Sequence, residues 1–194
     1  MPDLLKLHYA PRTRALRPRW VLEELGVPYQ LMRLDLAARE NRRPQYLAIH
    51  PLGNVPALED GATIVLESSA ICAYLAEKFP EKELTPPVGS KERGPLLQWI
   101  VYATTTLEPA LTALSREGAD VLENERWRQT CAVVEKALEG KEFLVGDRFS
   151  VADVVIGSVV WWARSVGRIE KGSVLDVYGA RLRKRPAAMR ALAD

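Results

Sequence analysis

The sequence predicts an α/β domain followed by an all-α domain, and three features of its 194 residues predict this. The first eighty residues mix the two-residue period of strands with the 3.6-residue period of helices. A polar stretch rich in proline and glycine, PEKELTPPVGSKERG, then has the composition of a linker. Beyond it the apolar pattern is helical throughout. The first domain is set at residues 1–80, the linker at 81–90 and the helical domain at 91–194.

Each element has a local reason. LLKLHYA alternates, with Leu5, Leu7 and Tyr9 on one face and Lys6 and His8 on the other, as in a strand. ALRPRWVLEELG follows as a helix, with Pro18 tolerable in its first turn and Gly26 ending it. YQLMRLDL reads as a second strand, and VPALEDGATIVLE as two short strands around the tight-turn pair Asp60-Gly61. SSAICAYLAEKFP is a helix with Ile71, Tyr74, Leu75 and Phe79 on one stripe and Pro80 as its stop.

In the second half, LLQWIVYATTTLEPALTAL sets Leu97, Ile100, Thr104, Leu107, Leu111 and Leu114 on one face. Pro109 should bend that helix, because it lacks an amide hydrogen and crowds the carbonyl of Thr105. Helices at RWRQTCAVVEKAL and FSVADVVIGSVVWWARSVG come next, then two shorter ones. Ser150 and Asp153 have capping-box spacing, flanked by Phe149 and Val154 as a hydrophobic staple. Asp153 is therefore assigned to the backbone of a helix start and not to catalysis.

Composition narrows the function. A formal charge of +2, spread along the chain, gives no electrostatic case for nucleic acid as a partner. No apolar run approaches the roughly 18 residues of a membrane span, so no membrane role is expected. The start of the chain lacks a secretory pattern, and Cys72 and Cys131 show no paired spacing. Both points favour a cytoplasmic protein. With only His8 and His50 besides, no metal-ligand cluster is expected.

Two stretches carry a resemblance. HPLGNVPALEDGATIVLESSAICAYLAEKFP closely resembles the glutathione-binding half of cytosolic glutathione transferases, and FLVGDRFSVADVVIG resembles the cap of that family's sixth helix. The resemblance implies a thioredoxin-like first domain, an all-helical second domain and a homodimer with its ligand site in the cleft between domains. It implies glutathione as co-substrate and no metal.

Carried over residue by residue, Val55-Pro56 resembles the family's Val–cis-Pro turn, whose exposed main chain pairs with the cysteinyl backbone of the bound tripeptide. The plainer alternative is a turn before a strand. Glu67-Ser68 lies where a strand meets a helix N-terminus, which suits a carboxylate. Ser68 would donate to the γ-glutamyl carboxylate and Glu67 would accept from the γ-glutamyl ammonium, although Ser68 also suits a plain N-cap. Asn54 joins this set. Arg43 sits near where some branches hold the glycyl carboxylate, with a surface arginine as the alternative.

The reaction needs a thiolate, and a free thiol has a pKa near ~8.5. Family branches lower it with Tyr, Ser or Cys after the first strand; here the serine and cysteine positions correspond to Ala10, Arg14 and Ala15. LHYAPRTRALRPRW resembles the tyrosine branch, so Tyr9 is the first candidate, with a core role as its alternative. Thr13 is the second, and Arg12 or Arg14 could act by charge alone. Tyr102 and Thr106 are expected to line a second-substrate pocket, whereas Trp99, Trp161 and Trp162 read as structural. The function expected is a glutathione S-transferase acting on small apolar electrophiles. The alternative is a non-catalytic glutathione-binding or regulatory module of the same fold.

Overall fold

Strand β1 (Leu5–Tyr9) lies at the middle of a four-stranded sheet, because its alternate side chains are apolar and both of its edges find partners. The computed structural model describes residues 4–114 and 120–193. They divide into one unit that runs to Lys82 and takes in the chain from Pro186, and a second unit at Glu83–Arg185.

In the first unit, α1 (Leu16–Leu25) crosses from β1 to β2 (Tyr29–Arg33), which pairs parallel to β1 with Leu7 opposite Leu31. Pro18 falls in the first turn of α1, and Gly26 ends the helix with φ of 64°. The hairpin of β3 (Ala57–Asp60) and β4 (Thr63–Leu66) turns at Gly61-Ala62, just after Asp60, and adds β3 antiparallel to β1, with sheet order β2-β1-β3-β4. Helix α3 (Ser68–Lys78) packs beside α1, and Leu7, Trp20, Leu22, Leu58, Ile71 and Leu75 form the core, each with no exposed surface.

Between β2 and β3 the chain makes a 3₁₀ turn at Glu40–Arg42 and a one-turn helix, α2 (Pro44–Leu47). This segment covers the sheet face that the alternation leaves polar. His8 is consequently buried, with Nε2 2.6 Å from Glu59 Oε1 and its ring 5.4 Å from that of Tyr46. The expected polar face is thus a second packed face, closed by a Glu–His pair.

The second unit is helical: α4 (Arg93–Tyr102), α5 (Glu108–Leu114), α6 (Val121–Ala137), α7 (Val151–Ser165) and α8 (Val174–Arg183). Pro109 disturbs the helix as its chemistry requires, but the disturbance is a π-helical turn at Ala103–Leu107. Thr104 and Thr105 donate back to carbonyls of the preceding turn, Thr105 to Val101 at 2.9 Å. The expected stripe shifts accordingly. Leu96, Trp99, Ile100 and Ala103 are buried, whereas Leu97 is 47% exposed.

Helix α7 is buried on nearly every side, and Gly179 of α8 lets it approach closely: a Cβ there would stand 3.0 Å from Val160 Cγ1. Trp161 donates to the Gly179 carbonyl at 2.8 Å. Asp153 has no exposed surface and accepts from the N–H groups of Leu144 (3.0 Å) and Ser150 (2.9 Å) and from the hydroxyls of Ser150 (3.2 Å) and Tyr178 (2.9 Å). Burial pushes its pKa up, and these donors pull against that push.

The last helix, α9 (Pro186–Ala191), which the sequence gave to the helical half, belongs to the first compact unit. It packs on α1, with Arg190 bound to Glu23 Oε2 at 2.6 Å and to the Glu23 carbonyl at 3.0 Å.

Asp153→Ala strands the main-chain donors of Leu144 and Ser150 inside the second unit. It is expected to lower the unfolding free energy by about 3 kcal/mol or more in urea titrations. Asp153→Asn should lose less, because its amide oxygen still accepts. A loss below about 1 kcal/mol for Asp153→Ala would contradict this account.

Candidate active site

The site is built on a loop whose carbonyls are claimed one after another. Arg42 Nη1 donates to the Leu52 carbonyl at 2.8 Å, Asn41 Nδ2 to that of Gly53 at 2.7 Å, and Tyr46 Oη to that of Asn54 at 2.5 Å. Burial pushes the Tyr46 phenol up to about 12, so it remains a donor. Gly53 has φ of 59°, and a Cβ there would lie 2.4 Å from the Asn41 carbonyl oxygen, so only glycine fits. The next peptide bond, Val55-Pro56, is cis, and neither main-chain polar group of Val55 has a hydrogen-bond partner among the described residues.

Above this loop is a cavity of about 460 Å³. Its lining includes the loop itself with Asn41 and His50, and Glu67 and Ser68 at the start of α3. Arg12, Thr13 and Arg14 of the β1–α1 loop, with Leu36, complete it. Glu67 has φ of 69°, is exposed, and has no partner for its carboxylate among the described residues. Ser68 is buried, and its oxygen accepts from Arg17 Nη1 at 3.2 Å, from a guanidinium only 3% exposed. With that lone pair taken, the Ser68 proton is available to a ligand.

The β1–α1 loop separates the activation candidates. Thr13 donates its hydroxyl proton to the Ala10 carbonyl at 2.7 Å, and its oxygen accepts from the Ala15 N–H at 3.3 Å. That hydroxyl is a turn clamp. Tyr9 does not line the large cavity; it is 5% exposed, with the Arg19 guanidinium 5.3 Å from its ring centroid. Arg12 lines the cavity, has φ of 57°, is exposed, and has no hydrogen-bond or ion-pair partner among the described residues.

Of the residues selected from the sequence, the fold thus gathers Arg12, Thr13, Asn54, Val55, Pro56, Glu67 and Ser68 around one space. Arg43 stands outside it, with a 60% exposed side chain paired to Glu40 at 3.1 Å. Its neighbours Asn41 and Arg42 are instead turned to the loop, where they donate to the Gly53 and Leu52 carbonyls. Tyr102 and Thr106 belong to the second unit, where Tyr102 donates to the Thr130 carbonyl at 3.0 Å and Thr106 lies in the π-helical turn. Asn41, His50, Gly53 and Arg17 were not singled out; Gly53 alone had a usable signal, within LGNVP. Cys72 and Cys131 are buried, and burial pushes each thiol up to about 12, so neither is a nucleophile.

Residues 3–77 match Glutathione S-transferase, N-terminal domain, and residues 103–192 match Glutathione S-transferase, C-terminal domain. The chain belongs to the glutathione S-transferase family, and its four-stranded unit is the family's thioredoxin-like domain. Glutathione S-transferase GstA of Escherichia coli O157:H7 is 30% identical over 199 residues, which span 97% of each chain. Probable glutathione S-transferase GSTF2 of Oryza sativa subsp. japonica is 34% identical over 174 residues, 81% of this chain and 78% of that one. Among solved structures, a glutathione transferase from Methylococcus capsulatus str. Bath superposes with a TM-score of 0.86 at 29% identity over 97% of each chain. A sphingomonad glutathione S-transferase complexed with glutathione gives 0.84 at 29% identity over 96% of each.

Gly53→Ala must move the Asn41 carbonyl and hold alanine at positive φ. It is expected to destabilise the first unit by about 1–3 kcal/mol in thermal unfolding. An unchanged midpoint would contradict the close approach described here.

Proposed function

We propose that this member of the family is a glutathione transferase that binds γ-Glu-Cys-Gly in the large cavity of the first unit and adds its thiolate to small electrophiles with an apolar skeleton. One observation carries the reading. A Val55 main chain and a Glu67 carboxylate without partners among the described residues share one cavity with a proton-bearing Ser68 hydroxyl. Val55 suits the cysteinyl N–H and C=O, as in addition of a strand. Ser68 and the first turn of α3 suit the γ-glutamyl carboxylate, and Glu67 suits the ammonium beside it.

Thiol activation is assigned to Arg12. A positive charge near the sulfur favours the thiolate, and the Thr13 clamp supports the loop conformation that presents Arg12. A left-handed backbone at a non-glycine residue is a strained arrangement of the kind kept at functional sites. Tyr9 and the Thr13 hydroxyl are engaged elsewhere, which speaks against either as the donor. Catalysis here needs no hydroxyl.

A homodimer is also proposed. Leu97 and Val101, one turn apart on α4, are 47% and 54% exposed and form an apolar strip suited to a second copy. Two buried, unpaired cysteines support a cytoplasmic setting. Among the described residues no helix is long and apolar enough to cross a membrane.

The test is the pH profile of kcat/KM for conjugation, read alongside glutathione binding by calorimetry. Wild type should titrate below the ~8.5 of a free thiol, Arg12→Ala should raise that apparent pKa by about one unit, and Tyr9→Phe should leave it in place. Glutathione binding with no turnover over a broad electrophile panel would favour the binding module instead. Leu97→Glu with Val101→Glu should convert the protein to monomers in sedimentation velocity.

A further inference from the structure

The large cavity holds a histidine whose ring nitrogens have no partner among the described residues. His50 is 5% exposed and lines the cavity together with Asn41. Its Nδ1 is sealed from solvent with nothing to bond. Nε2 has no partner either, yet it is not sealed, so it opens to the cavity. The ring proton accordingly belongs on Nε2, because a proton on Nδ1 would be a buried donor with no acceptor in reach. His50 therefore offers the cavity an N–H.

Asn41 supplies the complementary group. Its Nδ2 donates to the Gly53 carbonyl at 2.7 Å, and the Gly53 N–H donates to the His50 carbonyl, also at 2.7 Å, so the two residues flank a third. Asn41 Oδ1 has no partner among the described residues and is not sealed, which leaves an acceptor open on the same lining. The His50 ring is held in place by stacking on Tyr46, with centroids 6.4 Å apart and 28° between the planes. Its main-chain N–H donates to the Tyr46 carbonyl at 2.8 Å.

We propose that this donor–acceptor pair reads the C-terminal end of the tripeptide as a carboxamide, so that the enzyme prefers γ-Glu-Cys-Gly amides to glutathione itself. The inference rests on the reading of the large cavity as the glutathione site. There Glu67 and Ser68 take the γ-glutamyl residue, Val55 the cysteine and Arg12 the sulfur, which leaves Asn41 and His50 for the glycine. A carboxamide has a carbonyl for the His50 Nε2–H and an N–H for the Asn41 Oδ1. A carboxylate only accepts. It can take the histidine proton, but its second oxygen then faces Oδ1 with no proton between them. Arg43, the cation that would favour the free acid, stands outside the cavity with its side chain paired to Glu40. Arg14, on the lining, has interactions of its own within the chain. The ligand class is glutathione capped at glycine by ammonia or by a primary amine, since an amide N–H survives in both.

The test is calorimetry at one fixed pH with glutathione, its glycyl carboxamide and its glycyl ethyl ester. The carboxamide should bind about five- to tenfold tighter than glutathione, the size of one matched hydrogen bond. The ester has lost the charge but has no N–H to give, so it should fall well short of the carboxamide. His50→Leu removes the Nε2–H and should bring the carboxamide and glutathione within about twofold of each other. Should that variant not fold, the wild-type comparison of the peptides decides by itself. Glutathione binding with equal or weaker binding of the carboxamide overturns the inference and leaves the reading of the cavity standing. An ester as tight as the carboxamide also overturns it, because loss of charge alone would explain the gain. So does an undiminished preference in folded His50→Leu. Absence of binding by any of these peptides overturns the reading of the large cavity itself.

Discussion

Three side chains from residues 41–46 hold three successive carbonyls, those of Leu52, Gly53 and Asn54, and the site depends on that lacing. A loop running over a surface normally satisfies its polar groups with water and moves. Here each carbonyl is fixed from one side, and the missing Cβ of Gly53 lets the two segments touch. The chain therefore reaches Val55 with its direction set and its own N–H and C=O unspent among the described residues. A ligand that pairs with Val55 gains two hydrogen bonds without the cost of ordering the loop, which is the advantage of preorganisation. The same lacing explains why Asn41 and Arg42 matter more than Arg43, whose charge is turned outward to Glu40.

The loop after β1 spends its polar groups differently. Thr13 uses its hydroxyl internally, and the turn it closes leaves Arg12 at positive φ. Holding a non-glycine residue there costs about 1–2 kcal/mol. Lowering a thiol pKa by one unit corresponds to about 1.4 kcal/mol. The two are of the same order, so strain held in the loop is a reasonable exchange for a well-aimed charge. A guanidinium also acts over longer range than a hydroxyl donor, which must meet the sulfur at bonding distance. The proposed activation by charge would therefore suit a loop that carries Ala10, Arg14 and Ala15 and no serine or cysteine.

The elements of this chain were legible wherever a local rule decided them. Pro18, Gly26, Asp60-Gly61 and the Ser150–Asp153 pair each marked a boundary that the fold keeps. Glu67, Ser68 and Val55-Pro56, picked out because the chemistry of a helix start and a bent main chain is local too, do line one cavity. What stayed hidden depends on tertiary position. His8 alternates with the polar side of β1 and is buried only because the 40–47 segment folds over it. The exposed Leu97 and buried Trp99 follow from a π-helical turn that no helical wheel anticipates. Tyr9 looked like a phenol aimed at a sulfur, yet its neighbours are Arg19 and the last helix, brought there from the far end of the chain. A sequence pattern gives a side chain's face but not what lies opposite.

Satisfied valence separates structure from function more cleanly than residue type. Asp153 and Glu67 are both acids at helix starts, in motifs of similar appearance. Asp153 has four donors and no exposed surface, so adding a ligand could only break bonds it already makes. Glu67 has none among the described residues and stands exposed on a cavity, so a ligand's cation is its natural complement. The same contrast divides Arg42, which donates to a carbonyl, from Arg12, which lines two cavities with no partner among the described residues. Water tolerates such unspent groups only at a surface, because a buried one would cost several kcal/mol. Their convergence is therefore informative: among the described residues Val55, Glu67 and Arg12 leave polar groups unspent around one cavity, the space in which the proposed tripeptide would lie.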